Sequence, residues 1–227
     1  MVGRGQVWGI LEKPLLKLKE CRYNGRYACV VQTACEERKH KKMKIMIASD
    51  IHGSAYYCRQ LLEQYRKEKP DKLLLLGDIL YHGPRNDLPR EYDPKQVISM
   101  LNGIKEEILC VRGNCDTEVD QLVLEFPILA DYAILYIGTR MIYATHGHVY
   151  HMENPPMMKR GDILLHGHTH VPAKQEFDGK YYLNPGSVSI PKEESPHGYL
   201  MLEEGDFTWK TLEGKEYNYA GSKEFDI

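Results

Sequence analysis

The sequence has no long apolar segment and almost no net charge. None of its apolar runs approaches the roughly 18 residues that a membrane-spanning helix needs. The formal net charge is only −2, so the composition as a whole gives no reason to expect a nucleic-acid surface. The N-terminal region has no apolar stretch typical of a signal peptide, and we therefore expect a cytosolic protein. We see no internal repeat, and 227 residues allow one domain with a sizeable core.

Six cysteines are present, but their spacing matches no zinc site. Three of them, Cys21, Cys29 and Cys35, fall in the first 42 residues and are too irregularly spaced for paired metal ligands. Because we expect a cytosolic protein, we predict reduced thiols rather than disulfides.

Charge is distributed unevenly along the chain. Residues 1–42 hold 10 Lys and Arg against 4 Asp and Glu, a net of +6, whereas the other 185 residues hold 20 against 28, a net of −8. The first segment lacks clear periodicity and ends in "ERKHKK" before Met43, where "MKIMIASDIHG" begins as a strand would. We predict a basic extension over 1–42, a folded domain over 43–212 and a polar tail over 213–227. The extension is either flexible or the product of a start codon assigned too far upstream; a basic arm for nucleic acid or a membrane surface is the alternative.

The first half of the predicted domain alternates strands and helices. Apolar runs predict strands at 45–48, 73–76 and 108–111, with a helix after Ser54 that ends at Lys69-Pro70 and a second helix over about 94–103. The second half contains short strands separated by turns, at 133–137, 141–145, 163–165, 173–177, 181–183, 199–202 and 207–211. This order predicts an α/β domain with an antiparallel-rich second half and two sheets packed together.

Polar residues follow or close several of these strands. Carboxylate, imidazole and amide oxygen together suit Mn, Fe, Zn or Co. A sheet could bring these residues to one edge. Side chains of an extended chain alternate with a period of two, so Asp50 and His52 would point the same way, and so would His168 and His170. The segments are Asp50-x-His52, Gly77-Asp78, Gly113-Asn114, His146-Gly147-His148 and Gly167-His168-Thr169-His170.

The set is large enough for two metal ions that share one carboxylate. Asp78 is the natural shared ligand, because its strand is expected near the centre of the sheet. Any one of these residues alone could be an ordinary turn or capping residue, and only the ordered set favours a metal centre. The other predicted ligands are Asp50, His52 and His170 for one ion, and Asn114, His146 and His168 for the second.

Six ordered blocks, "DIHG", "GDILYHGPRN", "GNCD", "THGH", "GHTH" and "NPGSVS", resemble the calcineurin-like metallophosphoesterases, over about residues 43–202. Within that family they are most similar to the small YfcE-type bacterial and archaeal phosphodiesterases. The resemblance implies a four-layer α/β/β/α sandwich of two mixed sheets flanked by helices. It also implies two divalent ions, Mn²⁺ first, with Zn²⁺, Fe²⁺, Ni²⁺ or Co²⁺ as alternatives. A homo-oligomer and a small phosphodiester substrate are expected as well.

The expected reaction is phosphodiester hydrolysis, in which a hydroxide activated by the two metals attacks phosphorus in line. Asp78, Asn114 and His146 would then lie around the reacting group. A phosphomonoesterase with the same chemistry is the first alternative, and the net charge of −8 argues mildly against it. A non-catalytic scaffold with the same fold, as in retromer-type subunits, is the second alternative, and the intact ligand set argues against it.

Three residues near the expected centre have roles for which the sequence leaves alternatives. Many members of the family carry histidine at the position of Cys115, where it helps to protonate the leaving group, although the YfcE-type branch resembles this chain in carrying cysteine. We expect Cys115 beside the substrate pocket, or in packing, rather than as a nucleophile. His82 and Arg85 are candidates for substrate binding, since a guanidinium can hold a phosphate oxygen; a contact within the loop is the alternative. We read "NPGSVS" as a turn with local hydrogen bonds from Asn184 and Ser187.

Overall fold

The structure, a computed structural model, describes residues 18–23, 26–31 and 43–218. The chain divides into two compact units, Met1–Lys41 and Lys42–Ile227. In the first unit, strands β1 (Leu18–Tyr23) and β2 (Arg26–Val31) pair antiparallel. The predicted extension over residues 1–42 falls almost entirely on this unit, and most of it lies outside the described residues.

The second unit contains two five-stranded sheets and a few helices. The predicted strands and the two longer helices are confirmed, whereas the 3-10 helix and the short third helix were not predicted. The elements are β3 (Lys44–Ala48), α1 (Ala55–Glu68), β4 (Lys72–Leu75), α2 (Pro94–Asn102), a 3-10 helix (Lys105–Glu107), β5 (Ile108–Cys110), α3 (Glu118–Gln121), β6 (Tyr132–Ile137), β7 (Arg140–Thr145), β8 (Ile163–Leu165), β9 (Ala173–Phe177), β10 (Lys180–Asn184), β11 (Gly198–Glu203) and β12 (Asp206–Thr211).

Both sheets are mixed. The first has the order β12-β11-β3-β4-β5, with β3, β4 and β5 parallel and β11 antiparallel to β3. The second has the order β6-β7-β8-β10-β9, with β7, β8 and β10 parallel. Parallel neighbours end at the same edge of a sheet, so the loops after β3, β4 and β5 lie side by side, as do the loops after β7 and β8.

Alternating residues of the first sheet build two separate cores. Ile45, Ile47 and Leu74 face the second sheet, where they meet buried residues of its inner face. Met46 and Leu73, which point the other way, join the buried residues of α1 and α2. The period of two along each strand therefore divides the apolar residues between the sheet-to-sheet core and the sheet-to-helix core.

Helices α1 and α2 form a layer on the outer face of the first sheet. Helix α1 begins after Ser54, whose side chain accepts a hydrogen bond from the Tyr57 amide, and it ends at Lys69, which adopts a left-handed conformation before Pro70. The predicted α/β class with two packed mixed sheets is confirmed. Within residues 43–218 all helices lie between β3 and β6, and α1 and α2 cover the outer face of the first sheet.

The first residues of the predicted polar tail are hydrogen-bonded to β12. The Thr211 amide donates to the Lys215 carbonyl at 2.8 Å, and the Tyr217 amide donates to the Trp209 carbonyl at 3.1 Å. Residues 219–227 lie outside the described residues. Among the residues that the structure describes, no helix is both long enough and apolar enough to cross a membrane.

A chain that begins at Met43 is expected to melt within ~2 °C of the full chain and to bind metal with the same stoichiometry. The reason is that both cores, as far as residues are described, consist of side chains from 45 to 217. Surface changes that touch no core residue usually alter stability by less than about 0.5 kcal/mol, or about 2 °C at this size, and we expect the truncation to behave likewise. Thermal melting of both chains in the presence of Mn²⁺ measures this. A drop of ten degrees or lost metal binding would show that residues 1–42 are part of the folded structure.

Candidate metal centre

The loops at the shared edges of both sheets bring the seven predicted ligands together. Asp50 follows β3, Asp78 follows β4 and Asn114 follows β5, while His146 follows β7 and His168 follows β8. Neighbouring loops are joined through their backbones, because the Asp50 amide donates to the Gly77 carbonyl at 3.1 Å. His52 lies in the same loop as Asp50, and His170 completes the set from the same loop as His168. Their role as metal ligands is a prediction from the sequence.

Five of these residues adopt the left-handed backbone conformation, which is rare for residues other than glycine. The φ angles are 60° at Asp50, 49° at His52, 56° at Asp78, 67° at His168 and 64° at His170. The predicted reason for the pairing of Asp50 with His52, and of His168 with His170, was an extended chain of period two; that reason is wrong, because both pairs lie in tight loops. Such conformations each cost about 1–3 kcal/mol and collect at functional sites.

The first group of ligand atoms is deeply buried. Oδ1 of Asp50 lies 3.6 Å from Nε2 of His52 and 3.3 Å from Nε2 of His170, and the two imidazole nitrogens are 3.3 Å apart. All three side chains are at most 5% exposed. His52 and His170 each donate Nδ1–H to a backbone carbonyl, of Tyr81 at 2.8 Å and of Ile190 at 2.6 Å. Both Nε2 atoms therefore present lone pairs to each other and to the carboxylate.

The second group is built in the same way but is more open. His146 is buried and donates Nδ1–H to the Leu76 carbonyl at 2.7 Å, so its Nε2 carries a lone pair. That nitrogen faces Oδ1 of Asn114 at 3.0 Å and Nδ1 of His168 at 3.1 Å. Asn114 is exposed and His168 is half-buried. Two ring nitrogens and one amide oxygen thus converge on the more exposed side of the site.

Asp78 lies between the two groups. Its Oδ2 is 3.7 Å from Nε2 of His52 in the first group and 3.5 Å from Nε2 of His146 in the second. Its other oxygen, Oδ1, accepts the Cys115 amide at 2.8 Å. Only Oδ2 is therefore directed at both groups, which is the geometry that a shared ligand requires.

This donor set fits divalent cations. Lone pairs on nitrogen and oxygen repel one another at 3.0–3.3 Å unless a cation lies among them, and Oδ1 of Asp50 is buried without a hydrogen-bond partner. Metal-bound histidines typically donate their second ring N–H to a backbone carbonyl, as His52, His146 and His170 do here. The ligand atoms of Asp50, His52 and His170 lie within 4.8 Å of one another, and so do those of Asp50, Asp78 and His146.

The electrostatics of the buried group also favour positive charge. Burial alone would raise the pKa of Asp50, but the neighbouring imidazoles of His170 and His52 outweigh burial and hold that pKa well below its usual range. Burial lowers the pKa of His52, but the Asp50 carboxylate outweighs it and the net pKa is raised. Burial and the neighbouring His146 lower the pKa of His168 to about 4, so this imidazole is neutral and ready to bind a cation near neutral pH.

The "NPGSVS" block supports both ligand loops, which the sequence did not reveal. The predicted local bond of Asn184 is present, since its Oδ1 accepts the Gly186 amide at 2.8 Å, and its Nδ2 reaches the Gly167 carbonyl at 2.9 Å. Ser187 was expected to bond only locally. Its hydroxyl accepts the nearby Ile190 amide but also donates to the Asp50 carbonyl, 137 positions away, at 3.1 Å. The hydroxyl of Ser189 donates to the same carbonyl at 3.0 Å.

A cavity of about 410 Å³ opens over the ligand groups. Arg85 lies in its wall, as predicted for a substrate contact, and so does Lys192, which no sequence signal indicated. His82 is not among the residues that line the cavity. Its ring stacks edge-on against Tyr81 and Tyr92, with centroids at 4.8 and 5.2 Å. Of the two predicted substrate-binding residues, Arg85 therefore lines the cavity and His82 does not.

Cys115 lies in the wall of the same cavity and is only 9% exposed. Burial, followed by the Asp78 carboxylate, raises the pKa of its thiol. Reactive cysteines show the opposite shift, because the thiolate is the nucleophile. Its backbone amide orients Asp78 and its Sγ accepts a hydrogen bond from Nδ2 of Asn114 at 3.2 Å. Both contacts support a pocket residue and argue against a nucleophile.

Comparisons with known proteins agree with this geometry. Residues 43–206 match the model of the calcineurin-like phosphoesterase superfamily domain. The chain is 44% identical to phosphodiesterase YfcE of Escherichia coli over 161 residues, which are 71% of this chain and 88% of that protein. It is 28% identical to a phosphodiesterase of Methanocaldococcus jannaschii over 153 residues, covering 63% of this chain and 83% of the relative.

Solved structures show the same relationship. The structure of the E. coli phosphoesterase YfcE superposes with a TM-score of 0.75 at 40% identity, over 79% of this chain and 99% of that one. The family model covers most of the chain and includes all seven predicted ligands, namely the six residues of the two ligand groups and Asp78. The chain therefore belongs to the calcineurin-like phosphoesterase superfamily, and its convergent carboxylate, imidazole and amide groups make it a metal-dependent member.

Proposed function

We propose that this protein hydrolyses small phosphodiesters with two divalent metal ions. The observation that carries the proposal is the position of Asp78, whose Oδ2 faces both ligand groups at 3.5–3.7 Å. Asp50, His52 and His170 would hold one ion, and Asn114, His146 and His168 the other. The name of the E. coli relative, a phosphodiesterase at 44% identity, supports a diester as substrate.

The chain's own residues would hold the substrate and the two ions. Two bound ions would supply neutralisation of charge on the phosphoryl oxygens and a lowered pKa of water, which is the chemistry that in-line attack on phosphorus needs. Arg85 lies in the cavity wall, where its guanidinium would donate to a phosphate oxygen, and Lys192 would add a second positive charge there. The nitrogen and oxygen ligands suit Mn²⁺, Zn²⁺, Fe²⁺, Ni²⁺ or Co²⁺, and we propose Mn²⁺ first. A homo-oligomer in the cytosol is part of the same expectation.

A hydrolysis panel tests the proposal. Aryl phosphodiesters, phosphomonoesters and cyclic nucleotides are assayed with Mn²⁺, Zn²⁺, Ni²⁺ or a chelator. We expect diester hydrolysis with Mn²⁺ and loss of it with chelator. Faster turnover of monoesters than of diesters would favour the phosphomonoesterase alternative. Two bound ions without turnover of any ester would favour a scaffold.

Cys115→Ala is expected to slow hydrolysis of an activated aryl diester by less than about tenfold, or ~1.4 kcal/mol of barrier. The thiol is protonated and is a poor proton donor compared with imidazolium, so the wild-type rate should also fall steeply as the leaving group becomes more basic. Rates with a series from nitrophenyl to alkyl diesters measure both effects. An inactive variant together with a trapped phosphocysteine would overturn this assignment, and a flat series in the wild type would reveal another proton donor.

A further inference from the structure

Asp116 is a buried carboxylate that accepts backbone hydrogen bonds from the loops that carry Asp78 and Asn114. It is 1% exposed. Its Oδ2 accepts the amides of Asp78 at 2.8 Å and Gly113 at 2.7 Å, and its Oδ1 accepts the amide of Ile79 at 2.9 Å. Within the described residues, both of its oxygens are thus committed to backbone N–H groups.

These three amides belong to the two loops that carry the metal-facing oxygens. The amides of Asp78 and Ile79 lie in the loop after β4, where Asp78 has the strained φ of 56°. Gly113 lies in the loop after β5, immediately before Asn114. Without an acceptor, three buried N–H groups would lose their partners, and each such loss is costly in a protein interior. One carboxylate therefore ties the loop of Asp78 to the loop of Asn114.

The loop that carries Asp116 also orients the Asp78 side chain. The backbone of Cys115, directly before Asp116, donates to Oδ1 of Asp78 at 2.8 Å. That bond leaves Oδ2 facing His52 and His146. A rotation of the Asp78 carboxylate by a few tens of degrees would move Oδ2 away from one of the two ligand groups.

We propose that Asp116 is a positioning residue: it holds the strained Asp78 turn and the Gly113 turn together so that Oδ2 of Asp78 reaches both ligand groups before any ion binds. This inference rests on the proposed role of Asp78 as shared ligand. Its predicted consequence is preorganisation, because the site does not have to be assembled by the metal.

The test compares Asp116→Asn with Asp162→Asn. Asn keeps the shape of the side chain but turns one acceptor into a donor that faces an N–H group. Asp162 is a matched control, because it is 2% exposed and accepts two backbone amides, of Lys159 at 2.9 Å and Met141 at 3.2 Å, just before β8 and away from the ligands. Both variants are expected to lower the melting temperature. Only Asp116→Asn is expected to weaken Mn²⁺ binding, by about tenfold or more in calorimetric titration.

Amide hydrogen exchange supplies a readout that does not depend on metal or activity. In chelator-treated wild-type protein, the amides of Asp78, Ile79 and Gly113 are expected to stay protected. If they exchange as fast as exposed amides once metal is removed, the ion and not Asp116 holds the turn, and the proposal is wrong. This measurement decides the question even if Asp116→Asn fails to fold.

The outcomes separate this inference from the proposed function. Wild-type affinity for Mn²⁺ in Asp116→Asn, or an equal loss in Asp162→Asn, would contradict a positioning role while leaving phosphodiester hydrolysis intact. A wild-type protein that binds Mn²⁺ but hydrolyses no ester would contradict the proposed function, and the binding and exchange data would still test Asp116.

Discussion

Asp78→Asn is expected to lose at least one bound Mn²⁺ and to slow diester hydrolysis by ~1000-fold or more, about 4 kcal/mol of barrier. The substitution removes a negative charge that faces both ligand groups, at 3.7 Å from His52 and 3.5 Å from His146. Two cations then lose a shared anionic ligand and repel each other across a neutral amide. Metal content by mass spectrometry of the desalted protein, together with initial rates, measures the effect.

The Asp78→Asn protein is expected to stay folded, because its amide oxygen can keep the hydrogen bond from the Cys115 amide while Nδ2 donates to an unpaired imidazole nitrogen. Asp87→Asn is the matched control: Asp87 is exposed and lies nine positions further along the same loop region. It should change rate and metal content by less than twofold. A variant of Asp78 with two bound ions and full activity would refute the shared-ligand assignment.

Gly113→Ala is expected to destabilise the domain by about 3 kcal/mol or more, which corresponds to roughly 6–12 °C in melting temperature at this size. A Cβ at this position would lie 2.1 Å from Oδ1 of Asp78, 2.3 Å from the Asp78 amide nitrogen and 3.0 Å from Oδ2 of Asp116. These atoms are fixed by buried hydrogen bonds, so the overlap can be relieved only by moving the turn that carries Asp78. Metal affinity should fall together with stability.

Gly103→Ala provides the comparison for Gly113→Ala. Gly103 ends α2 with a helical φ of −64°, and its added Cβ would come no closer than 3.2 Å to another heavy atom, the Met100 carbonyl oxygen. We expect a change in melting temperature of a few degrees at most and unaltered Mn²⁺ binding. If Gly113→Ala melts and binds metal as Gly103→Ala does, the close packing around Asp78 described above is incorrect.

The strands and the edge where the candidate site lies could be predicted because each ligand block follows a recognisable apolar run. The seven predicted ligands come together because β3, β4 and β5 are parallel, as are β7 and β8. The left-handed turns at Asp50 and His52 could not be predicted, since nothing in "SDIHG" distinguishes an extended chain from a tight loop when both bury Ile51. The hydrogen bonds from Ser187 and Ser189 to Asp50 span more than 130 positions, beyond any local pattern.

Two further features concern the N-terminal strands and position 115. The hairpin of β1 and β2 was not predicted, although the two residues between these strands, Asn24 and Gly25, form a pair that strongly favours two-residue hairpin turns. Cys115→His would restore a proton donor to the leaving group only if Asp116 could orient the introduced imidazole. Both oxygens of Asp116 are engaged by backbone amides, so the imidazole would gain no such support.

The unequal exposure of the two ligand groups has a consequence for ion exchange. An ion held by Asp50, His52 and His170 would lie among side chains that are at most 5% exposed, although His52 and His170 also line the cavity. In the second group, Asn114 is exposed and His168 is half-buried. The inner ion would therefore have a long residence time and survive purification, and the outer ion would equilibrate quickly with its surroundings. The ambient concentration of free metal would then set the fraction of fully loaded protein through the outer position alone.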